Sequence, residues 1–202
     1  MKALITFLIL ITTIDVASAQ VLQEWIAIYS TQLDEEAISI AVDDSGNVFV
    51  TGYSYGNEAD YATVKYNSSG VQQWVAKYED HGNDYACSIA LDDSGNVFVT
   101  GYSIGNRSNY DYATIKYNSS GVLKWVVKYV GPGNDYAYSI AVDDSSNVFV
   151  TGMSYGSGTG YDYATIKYNS SGVVQWIERY NNLTTNNSYD AAYQVKLDDS
   201  GN

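Results

Sequence analysis

Apolar and polar residues do not follow a helical period anywhere after the first nineteen positions. They form short alternating or wholly apolar runs of seven or eight residues separated by turn residues, the pattern of antiparallel strands. In one stretch these runs are Ala86–Asp92, Asn96–Tyr102, Asp111–Tyr117 and Val122–Tyr129. Within the second run Val97 and Val99 alternate with Phe98 and Thr100, so bulk lies on both faces and the strand is expected to be buried on both. The stretch Ser88–Val126 recurs with small edits from Ser39 and from Ser139, and a fourth copy begins near Gln194. Trp25, Trp74, Trp125 and Trp176 fall in register at spacings of 49, 51 and 51 residues. The chain is one four-stranded unit written about three and a half times.

Two turns of each unit share one chemistry. Asp92–Asn96 reads Asp-Asp-Ser-Gly-Asn and Asn118–Gly121 reads Asn-Ser-Ser-Gly, each with Asp or Asn first and glycine fourth. This predicts a type I turn closed by a glycine in the left-handed conformation, with the first side chain bonding the backbone ahead of it. Ser146 stands where the third unit should have glycine, so that hairpin is expected to carry about 1 kcal/mol of strain or to be reshaped around Asn147.

Four strands in about 50 residues are too long for a coil of a β-helix and too short for an immunoglobulin-like repeat, and they suit one blade of a propeller. The strings VDDSGNVFVTG and DYATIKYNSSG resemble the bacterial seven-bladed beta-propeller repeat, a unit of exported proteins, from Trp25 to the C-terminus. The resemblance implies an all-β propeller of four-stranded antiparallel blades, and roles in binding, adhesion or scaffolding rather than a set chemistry. Blades are expected at 37–78, 86–129 and 137–180. An outermost closing strand is expected at Leu22–Tyr29, and the start of a further blade at 189–202. Strands missing their partners at each end imply an N-terminal fragment forming an open arc, completed by C-terminal blades of the same protein; a seven-bladed ring needs about 350 residues.

Met1–Lys2, the apolar run Ala3–Ile14 and Ala17-Ser18-Ala19 read as a secretory signal peptide cut after Ala19, leaving a propeller region at 20–202. The apolar run is too short for a stable membrane anchor. A secreted or cell-surface location follows as an expectation, without membrane insertion.

Charge narrows the partners. With 23 acidic and 10 basic residues the formal charge is -13, which disfavours nucleic acid and anionic membranes and leaves extracellular proteins or glycans. The single cysteine, Cys87, forms no intrachain disulfide and occupies the slot held by Ile38, Tyr138 and Tyr193, which suits packing.

Antiparallel meandering assigns the uniform turns to one end of every blade and the variable loops to the other. Ser54–Asp60, Ser103–Asp111 and Ser154–Asp162 differ in length, and Asn181–Ser188 lengthens one connection by four residues. Loops on a rigid scaffold carry binding, so Tyr55, Asn57, Glu58, His81, Arg107, Asn109, Tyr110, Tyr155 and Tyr161 are the candidate contacts. Asp43, Ser45 and Asn47 copy the 1, 3, 5 oxygen spacing of a calcium loop, but its later bidentate glutamate is absent and turn chemistry accounts for the same residues. Asp60, Asp111 and Asp162 recur with Lys65, Lys116 and Lys167, and Lys77, Lys128 and Arg179 recur on the outer strand, as structural ladders would. With one histidine, neither a histidine-rich metal site nor a Ser-His-Asp triad is expected. The leading expectation is a non-enzymatic exported binding or scaffolding module. The alternatives are a purely structural repeat and a propeller-type polysaccharide lyase or hydrolase, which would need two carboxylates about 5 to 10 Å apart at non-equivalent positions.

Overall fold

The computed structural model describes residues 24–104, 109–182, 188–198 and 200–201. Every element in it is a strand. The first sheet comprises β1 (Glu35–Val42), β2 (Val48–Tyr55), β3 (Ala59–Tyr66) and β4 (Gln72–Tyr78). The second comprises β5 (Asp84–Leu91), β6 (Val97–Ile104), β7 (Tyr110–Tyr117) and β8 (Leu123–Tyr129). The third comprises β9 (Asp135–Val142), β10 (Val148–Gly156), β11 (Gly160–Tyr168) and β12 (Val174–Tyr180), and a two-residue β13 (Ser188–Tyr189) pairs in parallel with β11. Each sheet is an antiparallel meander in sequence order, so the three stand as successive blades of an open arc.

The blades pack face to face because their second and third strands are apolar on both sides. Phe49 and Tyr61 of the first blade share a core with Ile89, Val97, Val99 and Ile115 of the second; Phe98 and Tyr112 of the second share one with Ile140, Val150 and Ile166 of the third. What a neighbouring blade contributes is visible at one repeat position. Ile89 and Ile140 are 7% and 6% exposed, whereas Ile40, in the same slot of the first blade, is 64% exposed. Burying such a side chain contributes roughly 1.5–3 kcal/mol. A cavity of about 490 Å³ lined by Trp25, Ile38, Ile40, Val50, Val64 and Tyr66 marks that uncovered face. On the opposite end of the arc every residue of β12 is exposed, Trp176 included.

Residues 24–30 form no ladder, contrary to the strand expected over Leu22–Tyr29, of which 22 and 23 lie outside the described residues. A strand needs a hydrogen-bonding neighbour, and among the described residues no strand pairs with this segment. Its tryptophan nevertheless behaves as the others do. Trp25 Nε1 donates to the Ser68 carbonyl at 3.2 Å, as Trp74 does to Ser119 and Trp125 to Ser170. The same reason leaves 190–198 without a ladder, although Val195 N donates to Ser139 Oγ at 3.2 Å just as Ile140 N donates to Ser88 Oγ at 3.4 Å. The signal peptide expected over residues 1–19 lies outside the described residues.

The innermost strands carry a bulge that the alternation did not reveal. Ala86 pairs with Gly101 and Ser88 with Thr100, leaving Cys87 as the extra residue; Ile38 and Tyr138 are its counterparts. The bulge drives the β5 backbone against β6, and a Cβ on Gly101 would sit 2.0 Å from the Tyr85 carbonyl oxygen. The recurrent Thr-Gly is therefore a close-approach requirement. Burial pushes the Cys87 thiol up to about 12, in keeping with a packing role.

The turns form as the sequence predicts. Asp43 Oδ1 accepts the Ser45 and Asn47 amides at 3.0 and 2.8 Å, and Asn67 Oδ1 accepts those of Ser69 and Val71. Ser146 keeps the turn by adopting a φ of 58°, and Asn147 is not reshaped. Its hydroxyl donates to Asp92 Oδ2 of the preceding blade at 2.8 Å, a contact glycine could not make.

Candidate binding face

The two ends of the blades are physically unlike. At the turn end, donors and acceptors are internally matched. Besides the two backbone amides on Oδ1, Asp43 Oδ2 accepts the Asn47 side-chain amide at 2.8 Å, so three N–H donors converge where a calcium ligand set would need oxygens. Burial raises the Asp43 carboxyl, but the bonds from Asn47 and Ser45 outweigh it and hold it below its ordinary value. Asp43, Ser45 and Asn47 are explained as a turn. Among the described residues no group of three or more metal-ligating side chains converges.

The ladders expected of these recurring charges are formed by the outer-strand cations, whereas Lys65, Lys116 and Lys167 take no part with Asp60, Asp111 and Asp162. Five residues apart on one strand, the two sets point to opposite faces. The lysine ammoniums instead lie over Phe49, Phe98 and Phe149, at 4.9, 4.8 and 4.7 Å from the ring centroids. The outer-strand cations serve the loop end. Arg179 binds Asp162 at 2.8 Å, Ser154 Oγ at 2.6 Å and Tyr129 Oη at 2.9 Å. Lys128 pairs with Asp80 and donates to Ser103 Oγ at 3.0 Å.

At the loop end, two buried carboxylates fix the connections between blades. Asp84 Oδ2 accepts the Asp80 amide at 2.7 Å and Asp135 Oδ2 accepts that of Gly131 at 2.5 Å. Burial raises both, Asp84 to about 6. Both side chains are fully buried, so this shift carries no access to a substrate. Asn83 and Asn134 add a second clamp, accepting the Ala59 and Tyr110 amides at 2.9 and 3.0 Å across the blade boundary.

On this braced surface lies an unbroken row of tyrosines. Tyr55 contacts Tyr53, with ring centroids 5.6 Å apart, and Tyr53 contacts Tyr85 of the next blade at 4.9 Å. Tyr85 contacts Tyr102 and Tyr110 at 5.3 and 6.2 Å; these in turn contact Tyr136 of the third blade at 4.9 and 5.5 Å. Tyr136 leads to Tyr161 at 6.4 Å, and Tyr161 contacts Tyr155 and Tyr189 at 5.5 and 5.7 Å. Tyr55, Tyr155 and Tyr189 are exposed and the others half-buried. Burial and neighbouring hydroxyls raise Tyr85 to about 12, and burial first among several causes raises Tyr102 and Tyr136. At neutral pH Tyr85, Tyr102 and Tyr136 therefore present neutral phenols.

Four of the nine candidate contacts, Tyr55, Tyr110, Tyr155 and Tyr161, belong to this row. Glu58 is committed locally, its Oε2 accepting the Gly82 amide at 2.9 Å. His81 and Asn57 are exposed in their loops and Asn109 is half-buried beside Tyr110. Arg107 lies outside the described residues. Sequence reasoning passed over Tyr53, Tyr85, Tyr102, Tyr136 and Tyr189. The first four sit at fixed places beside the Thr-Gly and Asp-Tyr-Ala strings, and that regularity made them read as packing.

Comparison with known proteins agrees with this architecture. A family model described as SBBP, beta-propeller repeat, matches residues 24–58, 73–107 and 124–158. Its unit straddles two blades, taking the outer strand of one and the first two strands of the next. No curated protein matches the chain. Among solved structures, a fucose lectin from Kordia zhangzhouensis in complex with methyl-fucoside aligns with 14% identity and a TM-score of 0.44, covering 71% of this chain and 99% of that one. A catalytically inactive virginiamycin B lyase from Staphylococcus aureus with quinupristin aligns with 15% identity and a TM-score of 0.39, covering 78% of this chain and 59% of that one. At these identities neither carries residue roles over. With three matches spanning more than half its length, the chain belongs to the SBBP family of beta-propeller repeats.

Proposed function

We propose that this protein is an exported, non-enzymatic binding module that holds an extended extracellular glycan along the tyrosine row of its loop face. The carrying observation is the continuity of the row, which crosses two blade boundaries with neighbouring rings 4.9 to 6.4 Å apart and is braced beneath by Asp84, Asp135, Lys128 and Arg179. Tyrosine supplies rigid amphipathic contact area, a ring for the apolar face of a sugar and a hydroxyl for its edge, at low entropic cost. A non-enzymatic role is supported by the four carboxylates that brace this face, each buried or engaged: Asp80 with Lys128, Asp162 with Arg179, Asp84 and Asp135 with backbone amides. Binding of the protein to immobilised polysaccharides, compared with Tyr55→Ala and Tyr155→Ala, tests this. These exposed side chains should cost about tenfold or more in binding and little in stability.

A second reading is a purely structural repeat. It is favoured by the pairs Tyr53–Tyr85 and Tyr102–Tyr136, which themselves join neighbouring blades. In that case the same substitutions leave every polysaccharide interaction unchanged.

A further inference from the structure

The row changes character at one end. Register places Glu36 opposite Tyr53, where Tyr85 stands opposite Tyr102 and Tyr136 opposite Met153. A carboxylate thus replaces a ring in the first blade. Glu36 is exposed, and its Oε2 accepts a hydrogen bond from Tyr53 Oη. That bond is the first cause holding the Tyr53 phenol well above its ordinary range. The Tyr53 ring stands at right angles to both its ring neighbours, Tyr55 at 89° and Tyr85 at 87°.

Six cations of the described residues have partners other than Glu36, while Lys124 and Lys196 are exposed. Lys128 and Arg179 are held by Asp80 and Asp162, Lys65, Lys116 and Lys167 lie over phenylalanine rings, and Lys77 donates to Ser54 Oγ at 3.3 Å. Asp34, Glu58 and Glu79 are further exposed acids of the same loop face, and the chain as a whole carries a formal charge of -13. A carboxylate bonded to one tyrosine of an aromatic cluster offers an ammonium both a charge-assisted hydrogen bond and, beside it, ring faces. An anionic sugar would be repelled there, and a neutral one would leave the carboxylate unmatched.

Resting on the glycan reading above, we infer that Glu36, bonded to Tyr53 at the end of the row, is the specificity-determining residue of the row and selects glycans that carry a primary ammonium, that is, amino-sugar units.

The test is calorimetric titration of the full chain with glucosamine hexasaccharide and with N-acetylglucosamine hexasaccharide, in buffer acidic enough to charge the amine. The amine-bearing oligomer should bind about tenfold or more tightly. Glu36→Gln should remove most of that preference while leaving affinity for the acetylated oligomer and the near-ultraviolet circular dichroism spectrum unchanged. Asp93→Asn, which neutralises an exposed acid at the turn end, should change neither affinity. Equal affinity for both oligomers, or a preference that survives Glu36→Gln, overturns the inference; if Tyr155→Ala still weakens binding, the glycan reading stands. Polylysine competing equally well against wild type and Glu36→Gln would assign the attraction to overall charge and also overturn it. No binding of either oligomer, with the tyrosine variants indistinguishable from wild type on every polysaccharide, removes the glycan reading itself.

Discussion

Tyr112 Oη donates to the Ala164 carbonyl oxygen, 3.2 Å away across the boundary between the second and third blades, and Tyr61 does the same to Ala113. Both rings are fully buried. Tyr163, the third member of the series, is half-buried on the arc's open face. Tyr112→Phe is expected to lower stability by about 0.5–1.5 kcal/mol in urea unfolding, because Thr151 Oγ1 at 3.3 Å still serves the carbonyl. Tyr163→Phe should change it by less than about 0.5 kcal/mol.

The bulged innermost strand makes glycine obligatory at three equivalent places. A Cβ at Gly152 would lie 2.0 Å from the Tyr136 carbonyl oxygen and 2.9 Å from Tyr112 Oη. Gly152→Ala is therefore expected to cost more than about 3 kcal/mol, or to prevent folding. Gly158, with a φ of +90° and nothing near its Cβ position, should cost only about 1–2 kcal/mol as alanine, from backbone strain alone. Thermal unfolding of the two variants distinguishes steric conflict from conformational preference.

Stability should depend on pH through Asp84. Its buried carboxyl titrates near 6 against an ordinary 3.8, so between those values the folded chain retains a proton that the unfolded chain releases. The resulting stabilisation is present at acid pH and is lost as pH rises through about 6. Asp84→Asn can still accept the Asp80 amide, and it should flatten the decline of the urea midpoint over this interval. Asp43, Asp92 and Asp143, held below their ordinary value, act in the opposite sense: their stabilisation is present above 3.8 and is lost as pH falls.

Ser146 combines a left-handed backbone with a bond to Asp92. Ser146→Ala keeps the strain and loses the bond, whereas Ser146→Gly loses both. The alanine variant should be less stable than the glycine variant by about 1 kcal/mol, measured by urea unfolding.

Strands and turns were legible in the sequence because their causes are local. Asp92 and Gly95 specify their hairpin whatever packs around it, and the bulk of Val97, Phe98 and Val99 announces burial on two faces. Relations that depend on register across strands were not. Nothing local shows that Lys116 rests on Phe98, or that Cys87 is the extra residue of a bulge which in turn demands Gly101. The binding face was legible in half. Variable loops pointed to Tyr55, Tyr155 and Tyr161, but Tyr85 and Tyr136 link the row across blades because adjacent blades bring separate repeats within ring contact.

The central claim is that these rings act together as one extended site. Calorimetric titration with a series of oligosaccharides of increasing length, drawn from a polysaccharide the protein retains, tests it most directly. Affinity should rise with each added unit until the row is spanned, and Tyr55→Ala with Tyr155→Ala should flatten that rise. An affinity already complete with a single sugar unit, or a length dependence indifferent to both substitutions, would contradict it.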